Sequence, residues 1–299
     1  MDESLDERYE LMKSRGYWVV KANRLIQKNR FKLSLPEQKA LAYICSLIKP
    51  NEAELWYEFE IRDYCKICGI DYDNGNNYLS IKSTLKKLRD HSMWLQFEGS
   101  ETESTVSWLD RVEINRNSGR VRVRIDDRLA PYLFSLSRHY TRYQLYNVLA
   151  MRSAFSIRMY ELLKSYTFQK SKEFSVDELK KILMVEGAKS YRNFNLFRTK
   201  VIDKALDEIN FLTDLKISYE TINQGRKVIA VKFYMTEKPI EEQYISMCSA
   251  LEYIDARVPE TADNEKSKKT KTRKLSLEEQ KEYDRLVKNS EQIHLNFKN

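Results

Sequence analysis

A chain of 299 residues has length for about two domains of roughly 150 each, and 52 Lys and Arg against 44 Asp and Glu leave a net charge of +8 that suits a nucleic-acid partner without requiring one. Four cysteines (Cys45, Cys65, Cys68, Cys248) are too few for a disulfide scaffold. The seven glycines form neither G-x-G nor G-x-x-x-x-G-K, which excludes both glycine-rich phosphate cradles, and no apolar run approaches the ~18 residues of a membrane span. The acidic opening MDESLDERYE is neither a secretory n-region nor a transit peptide, so a cytosolic protein is expected.

Residues 1–16 read as a charged tail or frayed helix, and Tyr17 to Val20 as a strand or the start of a helix. Ser34 and Glu37 form a capping box with Pro36 in the first turn. Ala40, Leu41, Ile44, Leu47 and Ile48 then give an amphipathic helix that stops before Pro50. Leu55 to Ile61 alternates as a strand, and Asp63 to Gly69 is a short helix closed by glycine. After a polar turn at Asp71–Asn77, Tyr78 to His91 is a long basic helix with Leu79, Ile81, Leu85 and Leu88 inward. Met93 to Phe97, Val106 to Ile114 and Arg120 to Ile125 read as strands, the last pair joined by Asn117-Ser118-Gly119. Asp126 to Tyr166 reads as helical in three pieces, around Leu129–Leu136, Tyr143–Leu149 and Ile157–Leu163.

The next stretch carries the densest signals. Phe174 ends a strand, Ser175 and Glu178 make a second capping box, and Gly187 is expected to break that helix. Phe194, Phe197, Val201, Ala205 and Ile209 step by three and four along one helix face. Leu215, Ile217 and Tyr219 alternate, as does the run from Val228 or Ile229 through Val231 and Phe233, with a turn at Asn223-Gln224-Gly225. Strand, short helix, turn, long helix and hairpin is the order of a winged helix-turn-helix. The same order occurs upstream, with Phe59-Glu-Ile61 matching Phe174-Ser-Val176 and Asn-Ser-Gly119-Arg matching Asn-Gln-Gly225-Arg. The fold class expected is therefore α+β, two tandem winged helix-turn-helix domains over residues 17–125 and 126–238. A charged, largely disordered and flexible basic tail is expected over 239–299. Within it Ile240 to Val258 reads as a helix. Six cations between Lys266 and Lys274 form a solvated block or a DNA-holding arm, and Ser276 with Glu279 starts a last helix.

Several segments then bring in a family. Ala154-Phe-Ser-Ile-Arg-Met-Tyr-Glu-Leu-Leu-Lys-Ser-Tyr166, Phe194-x-x-Phe197-Arg198, Ala205-x-x-Glu-Ile-Asn210, Thr213-Asp-Leu-x-Ile-x-Tyr219 and Gly225-Arg-Lys-Val228 resemble the initiator replication proteins of iteron-type plasmids. The resemblance covers about residues 17–236. It implies two winged-helix domains, binding to repeated origin sequences, strand opening, recruitment of host replication proteins and repression of the protein's own promoter. It also implies monomers on the repeats and a repressing dimer paired through the first winged helix. The partners implied are double-stranded DNA, a second copy, and a host initiator, replicative helicase or primase. No cofactor, metal or membrane is expected.

A recognition helix shows one face to its core and the other to the major groove. With the apolar stripe set by Phe194, Phe197, Val201 and Ala205, the opposite face carries Arg192, Leu196, Thr199, Lys200 and Asp203, with Asn195 on the flank. Arg and Asn suit guanine and adenine edges, and Lys200 suits phosphate. Wheel geometry puts Arg198 near the apolar stripe, from which a long side chain can extend past the core to a phosphate, and the family resemblance favours a basic residue there. Lys189, Ser190 and Tyr191 precede the helix and suit the DNA backbone, and Arg226 and Lys227 at the hairpin tip suit an adjacent phosphate or the minor groove. In the first domain Asn77, Lys82, Lys86, Lys87 and Arg89 lie on or beside the outer face of the long helix, suited to a neighbouring groove or simply to solvent. The hairpin Arg111 to Ile125 offers an edge for pairing with a second copy, or one that Arg120, Arg122 and Arg124 protect.

Two chemical readings compete with binding alone. Cys65-x-x-Cys68 lacks the second ligand pair of a zinc site and the βαβ context of a redox site, so both thiols are expected in a core. His139-Tyr-Thr-Arg142 with Tyr143 has the H-x-x-R of a tyrosine strand-transferring enzyme, against an ordinary segment with Thr141 capping a helix. A tandem winged-helix transcription regulator is the other alternative.

Overall fold

The computed structural model describes residues 10–49, 54–72, 75–96 and 101–257. The cation block and the helix expected at Ser276 lie outside the described residues. The first half runs β1 (Trp18–Ala22), α1 (Asn23–Lys28), α2 (Leu35–Ser46), β2 (Trp56–Glu60), α3 (Ile61–Cys68), α4 (Gly75–Asp90), β3 (Ser92–Gln96), β4 (Glu103–Ser107), β5 (Leu109–Ile114) and β6 (Arg120–Ile125). There follow α5 (Ala130–Leu133), β7 (Tyr140–Gln144), α6 (Leu145–Leu149) and α7 (Ala154–Lys164). The second half runs β8 (Ser171–Ser175), α8 (Val176–Ile182), α9 (Phe194–Phe197), a π turn (Arg198–Ile202), α10 (Asp203–Leu212), β9 (Leu215–Gln224), β10 (Lys227–Glu237) and α11 (Ile240–Asp255).

Local chemistry explains most element starts. At α2 the Ser34 N–H donates to Glu37 Oε2 at 2.8 Å, completing the capping box read from sequence. The helix buries Ala40, Leu41, Tyr43 and Ile44, and Tyr43 meets Phe59 and Tyr64 edge-on at 5.2 and 5.0 Å. Ser175 accepts from the Glu178 N–H at 3.1 Å and starts α8. That helix ends earlier than Gly187, because Met184 itself takes a left-handed φ of 55°. Its N–H and that of Val185 return to Lys181 and Lys180 carbonyls at 3.1 and 2.9 Å, a Schellman stop closed by the buried Val185.

Two three-stranded sheets, β2-β6-β5 and β8-β10-β9, form the cores of the two winged units. In the second wing the hairpin closes on Gly225 and Arg226, since Lys227 pairs with Gln224. A register shift between Val228 and Ala230 bulges out Ile229, which is why alternation left the start of that strand undecided.

The structure corrects several expectations. Tyr140–Gln144 is a strand that pairs antiparallel with β1, so the expected helical stretch 126–166 is interrupted. Thr141 is therefore no helix cap; its hydroxyl donates to Asn23 Oδ1 at 2.6 Å. This strand pair crosses the expected division at residues 125 and 126. The run Val106–Ile114 bends at the buried Trp108 and serves two sheets, β3-β4 and β2-β6-β5. Arg120, Arg122 and Arg124 lie on the central strand β6, not on an edge. On one face they meet Glu58, Glu113 and Asp110, with Arg124 Nη1 2.6 Å from Asp110. Helix α4 begins at Gly75 and buries Ile81, Leu85 and Leu88, which turns Leu79 outward at 63% exposure.

Residues 240–255 are not loose tail. Helix α11 buries Met247, Ala250 and Ile254. A Cβ at Gly69 would stand 2.4 Å from the Ile254 carbonyl oxygen, and Gly69 has φ +65°, so glycine is required there twice over. Arg15 Nη1 reaches Asp255 at 2.6 Å, and Arg257 Nη1 donates to the Leu149 carbonyl at 2.7 Å. At the other end Lys238 Nζ donates to Thr213 O and Ser246 Oγ, both at 2.7 Å. The helix thus brackets both halves of the molecule.

Helix α7 joins the halves from inside. Glu161 accepts a 2.6 Å bond from Lys21 on β1 and another from the Tyr143 hydroxyl on β7. Burial alone would raise the Glu161 pKa, but Lys21, Tyr143 and Arg158 hold it below the ordinary carboxylate value. Tyr160 and Lys164, farther along the same helix, hold Asp214 at 2.8 and 2.6 Å. The two sequence motifs around Glu161 and Asp214 are therefore in contact.

Candidate nucleic-acid interface

The apolar stripe predicted for the long helix is the buried one: Phe197, Val201, Ala205 and Ile209 are fully enclosed, and Phe194 is half-buried. The helix is opened by Asn193, whose Oδ1 accepts from the Asn195 N–H at 2.8 Å. A 3-10 turn, Lys189–Arg192, leads into it. Lys189, Ser190 and Arg192 are exposed there. Tyr191 is half-buried, edge-on to Phe155 and Phe197 at 6.4 and 5.9 Å, so it fastens this turn to the core.

On the outer face Asn195, Thr199 and Lys200 are exposed. The Thr199 hydroxyl bends back to the Asn195 carbonyl at 2.9 Å, which occupies its proton and leaves its oxygen lone pairs outward. Arg198 is only partly exposed, and its Nε stands 3.8 Å from Asp203 Oδ2. Simple α-helical geometry misplaces this pair because residues 198–202 form a π turn, a feature without a periodic signature in sequence. Arg226 and Lys227 are exposed at the wing tip, where Gly225 takes φ +58°.

The first-half candidates are placed differently. Lys82, Lys86 and Arg89 project from α4 into solvent. Lys86 pairs with Asp90, and Arg89 Nη1 lies 3.4 Å from the same carboxylate. Asn77 is half-buried and donates to the Asp71 carbonyl at 2.7 Å, so its amide shapes the turn that starts α4. Cys65 and Cys68 are buried in α3, and burial pushes their thiols up to about 11 and about 12. The hydroxyl of Tyr143 is enclosed and bonded to Glu161, and burial raises its pKa well above the ordinary phenol value. Arg142 stacks on Trp18 at 4.5 Å rather than facing Tyr143. Among the described residues no helix is long and apolar enough to cross a membrane.

Comparison with known proteins agrees with this architecture. A family model described as Initiator Replication protein, WH1, matches residues 18–164, and one described as Initiator Rep protein, WH2, matches residues 175–235. No curated protein matches the chain. The crystal structure of Pi initiator protein in complex with iteron DNA is similar with a TM-score of 0.60 at 20% identity, over 75% of this chain and 98% of that one. At that identity the likeness shows the fold. With both winged-helix models matched in order over most of the sequence, the chain belongs to the initiator replication protein family, the DNA-binding initiators of plasmid replication.

Proposed function

We propose that this protein binds repeated sequences in the replication origin of a plasmid and reads them mainly through the second winged helix. The observation that carries this reading is a helix whose inner stripe is fully buried while Arg192, Asn195, Thr199 and Lys200 stand outside it. Arg192 and Asn195, nearest the helix start, suit base edges. Lys189, Ser190, Tyr191, Arg198, Lys200, Arg226 and Lys227 suit phosphates. Lys82, Lys86 and Arg89 on α4 provide a second, sequence-independent contact, with Asn77 at its start. The solved Pi initiator, similar in fold, is in complex with iteron DNA.

Binding energy spent on bending and opening an A·T-rich segment then initiates replication without bond-making by this chain. The buried, raised Tyr143 supports a non-catalytic role. The same reading includes host replication proteins as partners, a dimer that represses its own promoter, and a cytoplasmic bacterial location. Footprinting on the upstream DNA of the encoding plasmid, across a salt series, tests it. Regularly spaced protected repeats that weaken steeply with salt are expected. One protected inverted repeat alone would instead describe a repressor, and strand cleavage would describe an enzyme.

A further inference from the structure

The helix carrying Asn195, Thr199 and Lys200 is not a continuous α-helix. Between Phe197 and Asp203 it winds as a π turn, and the Asp203 N–H donates to the Arg198 carbonyl five residues back. In an α-helix two residues five apart lie about 140° apart around the axis and their side chains diverge. The wider turn brings the fifth residue back over the first. Asp203 Oδ2 consequently lies 3.8 Å from Arg198 Nε.

The other carboxylate oxygen is held from outside the helix. Asp203 Oδ1 accepts a 2.6 Å hydrogen bond from the Tyr219 hydroxyl on β9, and the Tyr219 ring packs on Phe233 at 5.9 Å. Burial, and then Asp203 itself, push the Tyr219 phenol up to about 12, so it remains a donor at neutral pH. Arg198 Nε is enclosed with no hydrogen-bond acceptor, yet the side chain keeps 41% of its surface exposed. A guanidinium in that state is oriented by charge and shape rather than by a hydrogen bond of its own, and its remaining donors are available to a ligand.

We propose that Asp203 and Tyr219 are positioning residues, which use the π turn to hold the Arg198 guanidinium in one orientation for duplex DNA and so couple the recognition helix to the wing. This rests on the reading that Arg198 contacts DNA. Asp203 has an unexpected sign for such a role: a carboxylate on a DNA-facing helix repels phosphate, and its removal by charge alone tightens binding to any duplex. Positioning and plain charge therefore predict opposite results on specific DNA.

The test uses the full chain, a duplex that the wild-type chain enriches from a randomised pool, and the unselected pool itself. Asp203→Asn preserves the shape and an acceptor for Tyr219 but removes the charge. It is expected to weaken the enriched duplex on the order of tenfold, while the pool binds unchanged or slightly tighter. In an Arg198→Ala background the same substitution no longer weakens the enriched duplex, which binds unchanged or slightly tighter like the pool, since the pair acts as a unit. Tyr219→Phe, which deletes one hydroxyl, lowers the ratio of enriched to pool affinity in the same direction by a smaller factor. It decides the question if Asp203→Asn also lowers the melting temperature. Equal changes on both duplexes, or effects of Asp203→Asn and Arg198→Ala that add, overturn the positioning role. An Arg198→Ala chain that binds the enriched duplex like wild type overturns the DNA contact beneath it, as does a pool that yields no enriched sequence.

Discussion

The two winged units share an element order but use charge in opposite ways. In the first, the arginines of the wing strand β6 are matched by Glu58, Glu113 and Asp110 across neighbouring strands, and Asp90 sits beside two of the cations of α4. In the second, Arg192 in the turn before the helix, Lys200 on the helix, and Arg226 and Lys227 on the wing have no acid within ion-pair distance among the described residues. A cation already paired offers phosphate less, because the partner must be displaced or rehydrated. The contrast teaches that a shared fold sets where basic residues stand, while their acidic neighbours set what those residues are available to bind.

The buried lysines repeat the contrast. Lys39 donates to the Leu149 carbonyl at 2.6 Å, and burial, followed by the nearby Arg257, lowers its pKa to about 7. Lys164 is also disfavoured by burial, but Asp214 and Glu237 at 2.6 and 2.8 Å reverse the sign and raise it. One lysine is a cation tolerated against a carbonyl, and the other is neutralised in place.

The largest effect is expected where both halves are tied together. Glu161→Ala strands Lys21 in the interior, so an unfolding free energy lower by about 3–5 kcal/mol is expected in denaturant melts. A loss below about 1 kcal/mol would show that Tyr143 and water replace the carboxylate. Next comes Lys39→Met, read as stability against pH. The folded pKa of Lys39 lies below its unfolded value of 10.5, so wild-type stability rises with pH between about 7 and 10.5 by up to about 1.4 kcal/mol per unit. Below pH 7 both states are protonated and the slope vanishes. The variant should lack this rise, and an unchanged slope would assign it to other groups.

The DNA-facing predictions sharpen the comparison directly. Arg192→Ala should cost about 1–3 kcal/mol on specific duplex and relax base preference at one position. Lys86→Ala should weaken all duplexes evenly and flatten the salt dependence by about one charge. Identical salt slopes for Lys86→Ala and wild type would remove α4 from the interface. Smallest is Arg122→Ala on β6, an exposed ion pair, with about 0–1 kcal/mol on stability and no change in DNA affinity. A clear loss of affinity there would undo the distinction between the units.

Local rules made much of this protein legible. Ser34 with Glu37 and Ser175 with Glu178 marked their helix starts because capping is decided within four residues. The stripe Phe197, Val201, Ala205 and Ile209 marked a buried face because each step of four drifts only about 40° in an α-helix, and the π turn takes up part of that drift. The hairpin around Gly225 and the glycine stop at Gly69 were visible for the same local reason. What sequence alone determined, then, was the order of the main elements within each of the two winged units and the outward polar face of the second long helix.

Tertiary structure decided the rest, wherever the partner lies far along the chain. Tyr140–Gln144 became a strand because β1, more than a hundred residues earlier, presents an edge to it. Ile240–Asp255 became a packed bracket because Gly69 leaves room for its backbone. Arg198 acquired Asp203 and Tyr219 because one extra residue per turn rotates the helix against the wing. Periodicity reports which side of an element is apolar, but only packing selects the particular neighbour that side will meet.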